Sequence, residues 1–490
     1  MFRAIYALRD TRAEHETRIR NLKGLISLAR RMPPELLAKI FQHCVEGGWY
    51  RAPTVVSQVC SRWRLGTSFP RVWSNVYVNC EDKNPLGRTR HWLSMASQAP
   101  LHITVDARIN TSDLPDIMDL LLTRVSQWRS FTIITDRYRD ANYLLSRCTL
   151  PAPDLSEVGV VTEVDFRELV EGGNTDLVGF QDAFQQAPRL TTLKLACNTI
   201  QSRSIIPPNI LNLSITMGSS RQSNLPLSGA SLIQLLESLP LLRQFTMSVP
   251  FLCDLQYMPE ADFRRTAHIP HLESLEICVP PNVNGILAHL RAPQLRKLHL
   301  RSSEDPLGRP HDLTGASLRE FIEQSSPPLE ILELHDIDAP DDDYAHCLAV
   351  LDQLQELRLH ETEISDDVVQ MLNGPTGYCP RLSRIDLRWC AQLTGRTLVD
   401  LVKSRNCGEV TQNGAVAPIS EVTVMNCSFV EEQDVLDLSN MTMCRLVLRD
   451  STDHCYQKGC CTNVRYRQRL RLRHLADLIE GRHGRTGLIL

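Results

Sequence analysis

The sequence predicts an α/β fold in which a small helical unit precedes a long stack of parallel strands joined by helices, and three observations predict it. An apolar-x-x-apolar-x-apolar pattern returns along most of the chain. Between its copies lie stretches that carry apolar residues at helical spacing behind a Ser or Thr. Ahead of both, residues 31–73 hold two wide apolar stripes of helical period.

In the helical unit, Pro33 and Pro34 fix φ near the value a first turn needs and lack N–H groups that would go unpaired there. Glu35 suits the positive end of the helix dipole. Leu36, Leu37, Ile40, Phe41, Cys44 and Val45 then form a broad apolar face. After Gly47 and Gly48, one second helix is expected from Pro53 and Thr54, with Val55, Val56, Val59, Cys60 and Trp63 on its apolar side. Phe69, Pro70 and Trp73 close a third, short element. About 40 residues with so much apolar surface have too little core to stand alone, so something must cover them. A small helical cap on the following strands would show the same stripes. Upstream, Ile19, Leu22, Ile26 and Ala29 repeat at spacings of three and four, which reads as an amphipathic helix within 1–31.

The cleanest strand patterns are Leu190, Leu193, Leu195; Leu295, Leu298, Leu300; Leu329, Leu332, Leu334; and Leu354, Leu357, Leu359. Looser copies begin at Trp128, Leu155, Ile210, Leu242, Leu272, Leu382, Ile419 and Met443, a period of about 29 residues. Trp73 with Val76 and Val78, and the run around Ile103 and Val105, are two earlier copies. Stacked parallel strands place alternate residues inward, and no single repeat can bury its apolar face, so only the stack folds. Ser- or Thr-capped helices are expected over 228–239, 314–323, 365–372 and 394–403. Helices are wider than strands, so the stack is expected to curve with its strands on the concave side.

Such a period is that of leucine-rich repeats, and residues 379–401 resemble the cysteine-containing subclass found in many F-box proteins. There Cys379 precedes the strand and Cys390 follows it, with Cys197 and Cys427 in the place of Cys390 in their own repeats. The helical unit resembles the F-box itself, where a Leu-Pro-x-Glu-Leu-Leu/Ile-x-x-Ile-Phe run is followed by Val-Cys-x-x-Trp-Arg and Pro-x-x-Trp. The matching residues are Met32, Pro33, Glu35, Leu36, Leu37, Ile40 and Phe41, with Pro34 among them, then Val59, Cys60, Trp63 and Arg64, then Pro70 and Trp73. The resemblance implies a three-helix F-box followed by a curved leucine-rich-repeat solenoid with parallel strands on the concave face. It implies docking of those residues onto the Skp-type linker of a cullin-RING ubiquitin ligase, with a protein target held by the repeats. Similar fungal F-box-like proteins often carry a helix or short coiled coil at the position of residues 1–31. Met32 stands where the family has Leu, a nearly volume-conserving change expected to weaken docking rather than abolish it. The expected division is an amphipathic helix at 1–31, the F-box-like unit at 32–76, degenerate joining repeats at 77–189, regular repeats at 190–450 and a basic cap or tail at 451–490.

Composition bounds the function. With 42% hydrophobic and 22% charged residues the 490-residue chain is globular, and a net charge of -4 gives no whole-protein argument for nucleic acid or membrane. Sixteen cysteines occur without a single CxxC, which disfavours a zinc ribbon and a disulfide framework and favours reduced thiols in a cytoplasmic or nuclear protein. No run approaches a membrane span and the first twenty residues lack a signal-like apolar core. Gly-rich phosphate loops, GxSxG and HExxH are all missing, so no catalytic residue, cofactor or metal is expected and the chain reads as an adaptor.

In each strand the residues flanking the last two apolar positions should face outward. Early repeats offer neutral groups there, Asn212, Ser214, Thr216 and Gln244, Thr246, Ser248. Later ones offer Lys297, His299, Arg301; Ile331, Glu333, His335; Glu356, Arg358, His360; and Arg384, Asp386, Arg388, the expected target-binding zone. Aligned charges can equally pair with one another. Reversing Arg358 and Arg388 is expected to cost target recovery without unfolding. The acidic run Asp336, Asp338, Asp341, Asp342 and Asp343 lacks calcium-loop spacing and reads as a solvated loop, and His335 beside His360 lacks a third ligand for zinc. Residues 458–490 carry eight Lys or Arg against Asp477 and Glu480, a basic cap, import signal or RNA patch.

Overall fold

The computed structural model describes residues 11–19, 32–109, 111–162, 179–180, 182–196, 206–216, 229–248, 265–279, 281–302, 314–337, 339–374, 377–390, 392–406, 416–427 and 429–447. The chain divides into two compact units, one of Met1–Asp136, Arg147–Gly159 and Phe184–Arg189, the other of Arg137–Ser146, Val160–Ala183 and Leu190–Leu490. Of the upstream helix only 11–19, helical, lies within the described residues, as does Ile19 but not Leu22, Ile26 or Ala29. The basic stretch at 458–490 and Cys197 also lie outside them.

The first unit opens with α1 (Pro34–Glu46), which buries Leu37, Ala38, Phe41 and Val45. Residues 52–66 form two short helices, α2 (Ala52–Ser57) and α3 (Ser61–Gly66), where one was expected. Cys60 is extended between them, and Arg64 Nε donates to the Ser57 carbonyl at 3.0 Å across the break. The β-branched run Val55, Val56 and Val59 gives a continuous helix little local support there. A 3-10 turn follows at Pro70–Trp73. Gly66 lets α3 cross α1 closely, since a Cβ there would meet Leu37 Cβ and Phe41 Cε2 at 3.0 Å. Trp73 Nε1 donates to the Thr67 carbonyl at 2.6 Å, and its ring packs edge-on against Trp92, 4.8 Å between centroids.

Then come β1 (Asn75–Asn79), α4 (Pro85–Ala96), β2 (Leu101–Ala107), α5 (Leu114–Leu122), β3 (Trp128–Thr135), α6 (Tyr138–Arg147), most of which belongs to the second unit, and β4 (Glu157–Thr162), whose residues from Val160 on belong to the second unit. Strands β1 and β2 pair in parallel with Val76 opposite Ile103 and Val78 opposite Val105, and β2 pairs with β3 in the same sense. The β2–β3 register shifts by one residue between Leu101 and His102, within the stretch expected to hold degenerate repeats.

The second unit contains β5 (Thr192–Ala196), β6 (Asn212–Thr216), α7 (Gly229–Glu237), β7 (Gln244–Ser248), β8 (Ala267–His268), β9 (Ser274–Val279), β10 (Leu290–Arg291) and β11 (Lys297–Ser302). It continues with α8 (Thr314–Ser325), β12 (Ile331–His335), α9 (Asp341–Val350), β13 (Glu356–His360), α10 (Asp366–Gln370), β14 (Arg384–Arg388), α11 (Gly395–Asn406), β15 (Glu421–Met425), α12 (Glu432–Met441) and β16 (Met443–Val447). Apart from the small β8·β10 pair, these strands lie side by side in chain order and in parallel, a mixed α/β array consistent with leucine-rich repeats. Leu275, Leu298, Leu332, Leu357, Ile385 and Val422 align in one inward row, each at most 4% exposed.

Each of β12 to β15 is followed by a residue of positive φ, Asp336, Glu361, Trp389 and Asn426, and the next side chain, Ile337, Thr362, Cys390 or Cys427, turns into the core. Cys390 Sγ donates to the Leu359 carbonyl and Cys427 Sγ to that of Leu387, so thiols close the turns.

Three expectations are corrected. Asp341, Asp342 and Asp343 form the first turn of α9 rather than a solvated loop, where carboxylates meet the positive helix end. Asp343 accepts from Arg319 at 2.9 Å and Asp341 from Ser365 at 2.8 Å. The last repeat starts at Met441, not Met443, because Cys444 pairs in register with Val422 and Leu446 with Val424. Ser365 caps α10 as expected, accepting from the Val368 N–H, whereas Thr394 donates N–H and Oγ to Asp366 at 2.8 Å and ties α11 to the neighbouring repeat.

Candidate functional site

Two surfaces carry the residues singled out from the sequence, one in each unit. On the helical unit, α1 turns Leu37 and Phe41 inward, Phe41 against Trp63 at 5.3 Å between ring centroids, while Leu36 and Ile40, four residues apart, face out. Leu36, Ile40, Val55, Val59 and Leu65 are 44 to 58% exposed. Pro33, Glu35 and Arg64 are also exposed, and Met32, Pro34, Cys60 and Trp63 are half-buried. Leu37, Phe41 and Trp73, expected in the docking set, are buried and hold the unit together instead. Val55 and Leu65 were not in that set; their signal was an apolar side chain on a short helix whose other face was already filled.

On the second unit, the outward side chains of β11 to β16 line up in rows. One runs His299, Glu333, Arg358, Asp386, Thr423 and Arg445, another Lys297, Ile331, Glu356, Arg384, Glu421 and Met443, and a third Arg301, His335, His360, Arg388 and Met425. The charges pair. Arg358 donates to Glu356 at 2.7 Å and Glu333 at 2.9 Å, Arg384 reaches Glu356 at 3.0 Å, Arg388 holds Asp386 through two bonds of 2.8 and 2.7 Å, and Arg445 takes Glu421 at 2.7 Å. His335 Nε2 lies 3.2 Å from Glu361, and His360 Nε2 3.5 Å from Asp386. So flanked, Glu356 and His360 are buried although they point outward.

Most of these side chains, though not His335 or Glu361, line an open hollow of ≈ 620 Å³. Burial would raise the Asp386 carboxyl, but the two hydrogen bonds from Arg388 and the nearby His360 ring prevail and hold it down at about 2. The hydrogen bond to Glu356 raises Arg358 above its ordinary value. Reversal of Arg358 would set a third carboxylate between Glu333 and Glu356, so it cannot leave the fold unaffected as expected. Arg384 and Arg445, at the rim, are the cleaner probes. Arg445, Glu421 and Thr423 obey the same alternation that marked the earlier strands, but the expected zone stopped at β14. Lys297 and Arg301 stay exposed on β11. The rings of His335 and His360 do lie together, 5.6 Å between centroids, yet among the described residues no group of three or more His, Cys, Asp or Glu could hold a metal ion.

Three of the buried thiols are held in their protonated form. Burial pushes Cys80, Cys347 and Cys379 up to about 12, the reverse of a nucleophile's environment. Among the described residues no helix is long and apolar enough to cross a membrane.

No protein-family model matches the chain, and no curated protein matches it by sequence. Solved structures similar to it include the Rad7 and Elc1 complex of yeast, at 12% identity and a TM-score of 0.30 over 89% of this chain and 98% of that one. An internalin of Listeria monocytogenes matches at 13% identity and 0.30, over 68% of this chain and 80% of that one. The leucine-rich-repeat-containing protein LegL7 of Legionella pneumophila matches at 12% and 0.34, over 67% and 97%. Likenesses this distant say nothing about what the chain binds.

Proposed function

We propose that the chain is a non-catalytic substrate-recognition adaptor of a Skp–cullin–F-box ubiquitin ligase. The helical unit binds the Skp-type linker, the strand face recruits a protein target, and transfer of ubiquitin is performed by other subunits acting on a target held near them. The supporting observation is the split of α1: Leu37 and Phe41 fill the unit's own core, while Leu36 and Ile40, with Val59 beyond them, remain on the surface as apolar groups without cover among the described residues. Exposed apolar side chains at helical spacing, rimmed by Glu35 and Arg64, suit a partner helix. The motif resemblance of residues 32–73 names the linker as that partner.

The test is capture of the purified linker and cullin by the tagged full chain, alone and as Leu36→Asp with Ile40→Asp. The wild type should retain both proteins, and the double variant should lose them at unchanged melting temperature. Failure of the wild type to retain the linker removes the ligase assignment and leaves a repeat protein acting as a scaffold.

A further inference from the structure

The outward charges of β11 to β16 are sorted by depth. Glu333, Glu356, Asp386 and Glu421 are the acids that point outward on these strands, and each keeps only 11 to 23% of its side chain exposed beneath a guanidinium that holds it. The cations lie above them. Arg384 and Arg445 are 50% and 64% exposed, and their contacts with Glu356 and Glu421 run through Arg384 Nη2 and Arg445 Nε, so other N–H groups of each fork remain for a ligand. Lys297 and Arg301 are exposed as well and have no ion-pair partner among the described residues. The long cationic arms reach past the shorter acids and keep their charged heads in water. Before β11 the pattern stops, for β9 sets an exposed acid, Glu276, opposite His299.

Whatever approaches this face meets cations first, and their spacing says how a ligand must carry its negative groups. Neighbouring strands stand about 4.8 Å apart, so the five steps from β11 to β16 span about 24 Å, the length of about seven extended residues. Lys297 and Arg301 stand at one end, Arg384 about 14 Å along and Arg445 about 10 Å further. A phosphoryl group carries its charge on one centre and calls for cations that converge, whereas these stand apart and suit single charges distributed along a chain. The outward positions of β11 to β16 hold no Phe, Tyr or Trp, so the bases of a single-stranded nucleic acid would find no ring to stack on.

We propose that the face of β11 to β16 recruits its target through an acidic, unphosphorylated segment of polypeptide lying across the strands, its Asp and Glu carboxylates met by Lys297 and Arg301, by Arg384 and by Arg445. This rests on the reading of that face as the target site. The half-buried acids hold Arg384 and Arg445 in place before the target arrives, which lowers the cost of ordering them on binding. A basic segment would be repelled by the cations above, and a neutral one would gain nothing from them.

The experiment follows the fluorescence anisotropy of a labelled peptide of about nine residues, in which Glu alternates with Ser, as the full chain is added. Controls replace every Glu by Gln, replace one Ser of the Gln peptide by phosphoserine, or use an oligouridylate of similar length. Saturable binding of the Glu peptide is expected, at least tenfold tighter than that of any control and several-fold weaker when salt is raised from about 50 to about 300 mM. Lys297→Gln with Arg301→Gln should weaken it about fivefold at unchanged melting temperature, since neither side chain holds a carboxylate of its own chain. Arg384→Gln should do likewise, Glu356 keeping its bond from Arg358. Absence of saturable binding, equal or tighter binding of any control, or wild-type affinity in either variant would each overturn the proposal. Capture of the linker is measured on the same preparations. A chain that retains the linker but not the Glu peptide loses this inference alone, and one that binds the Glu peptide without retaining the linker loses only the ligase assignment.

Discussion

Arg405 is a fully buried cation with no carboxylate paired to it among the described residues. Its guanidinium donates to four carbonyls, those of Leu372 at 2.8 Å, Tyr378 at 2.6 Å, Cys379 at 3.1 Å and Leu382 at 3.3 Å, and so ties the tail of one repeat to the next. Arg405→Met keeps the bulk but strips those acceptors of their donors, and a loss of about 3 kcal/mol is expected, read as a lower urea midpoint at unchanged slope. Asp386 makes a prediction about pH. Its folded value of about 2 lies below the ordinary 3.8, so its ionised form contributes stability above about pH 4 that is lost as pH falls toward 2. Asp386→Asn should therefore lose less stability than the wild type between pH 4 and pH 2, a difference of roughly 2 kcal/mol in urea titrations at the two ends. Neither role could be read from the sequence. Arg405 sits in a helix stretch that looks like any basic last turn, and the partners of Asp386 depend on which strands are neighbours.

At the scale of elements, α1 is the clearest case of one helix with two tasks. Phe41→Ala should cost about 3 to 5 kcal/mol because its ring fills the space between α1 and α3, whereas Ile40→Ala should change the urea midpoint by less than about 0.5 kcal/mol. Equal losses for the two would mean that both side chains are core. The stripe of six apolar positions was legible in the sequence because helical period is strong over thirteen residues, and so was the start at Pro33 and Pro34. Its division into a filled and a vacant half was not, since that depends on where α3 crosses, which Gly66 decides. Likewise the break between α2 and α3 left no mark beyond a run of valines. The first turn of α9 was missed because three consecutive Asp look like loop until a helix supplies the positive end they face.

Across the whole molecule, the strand rows were legible because the side-chain period of two is exact whenever one face is buried, and the inward Leu, Ile and Val positions fix the register of their neighbours. The exception, β16, shows what the reading needs: with Cys444 in place of Leu the pattern fitted two residues late. The pairing of the outward charges could not be read, and it changes which substitutions are informative. Arg358→Glu should lower stability by roughly 1 to 3 kcal/mol as three carboxylates are brought together, while Arg445→Ala, at the rim, should leave the melting temperature within a degree or so. Loss of target capture in the Arg445 variant would then report on recognition alone. The separation of inward from outward rows has a further consequence. Since the backbone is specified by the buried half of each strand, the visible half is at liberty to drift, strand by strand, from the hydroxyls and amides of β6 and β7 to the charges of β12 to β14 without a change of architecture. New binding preferences can arise here by exchanging three side chains at a time.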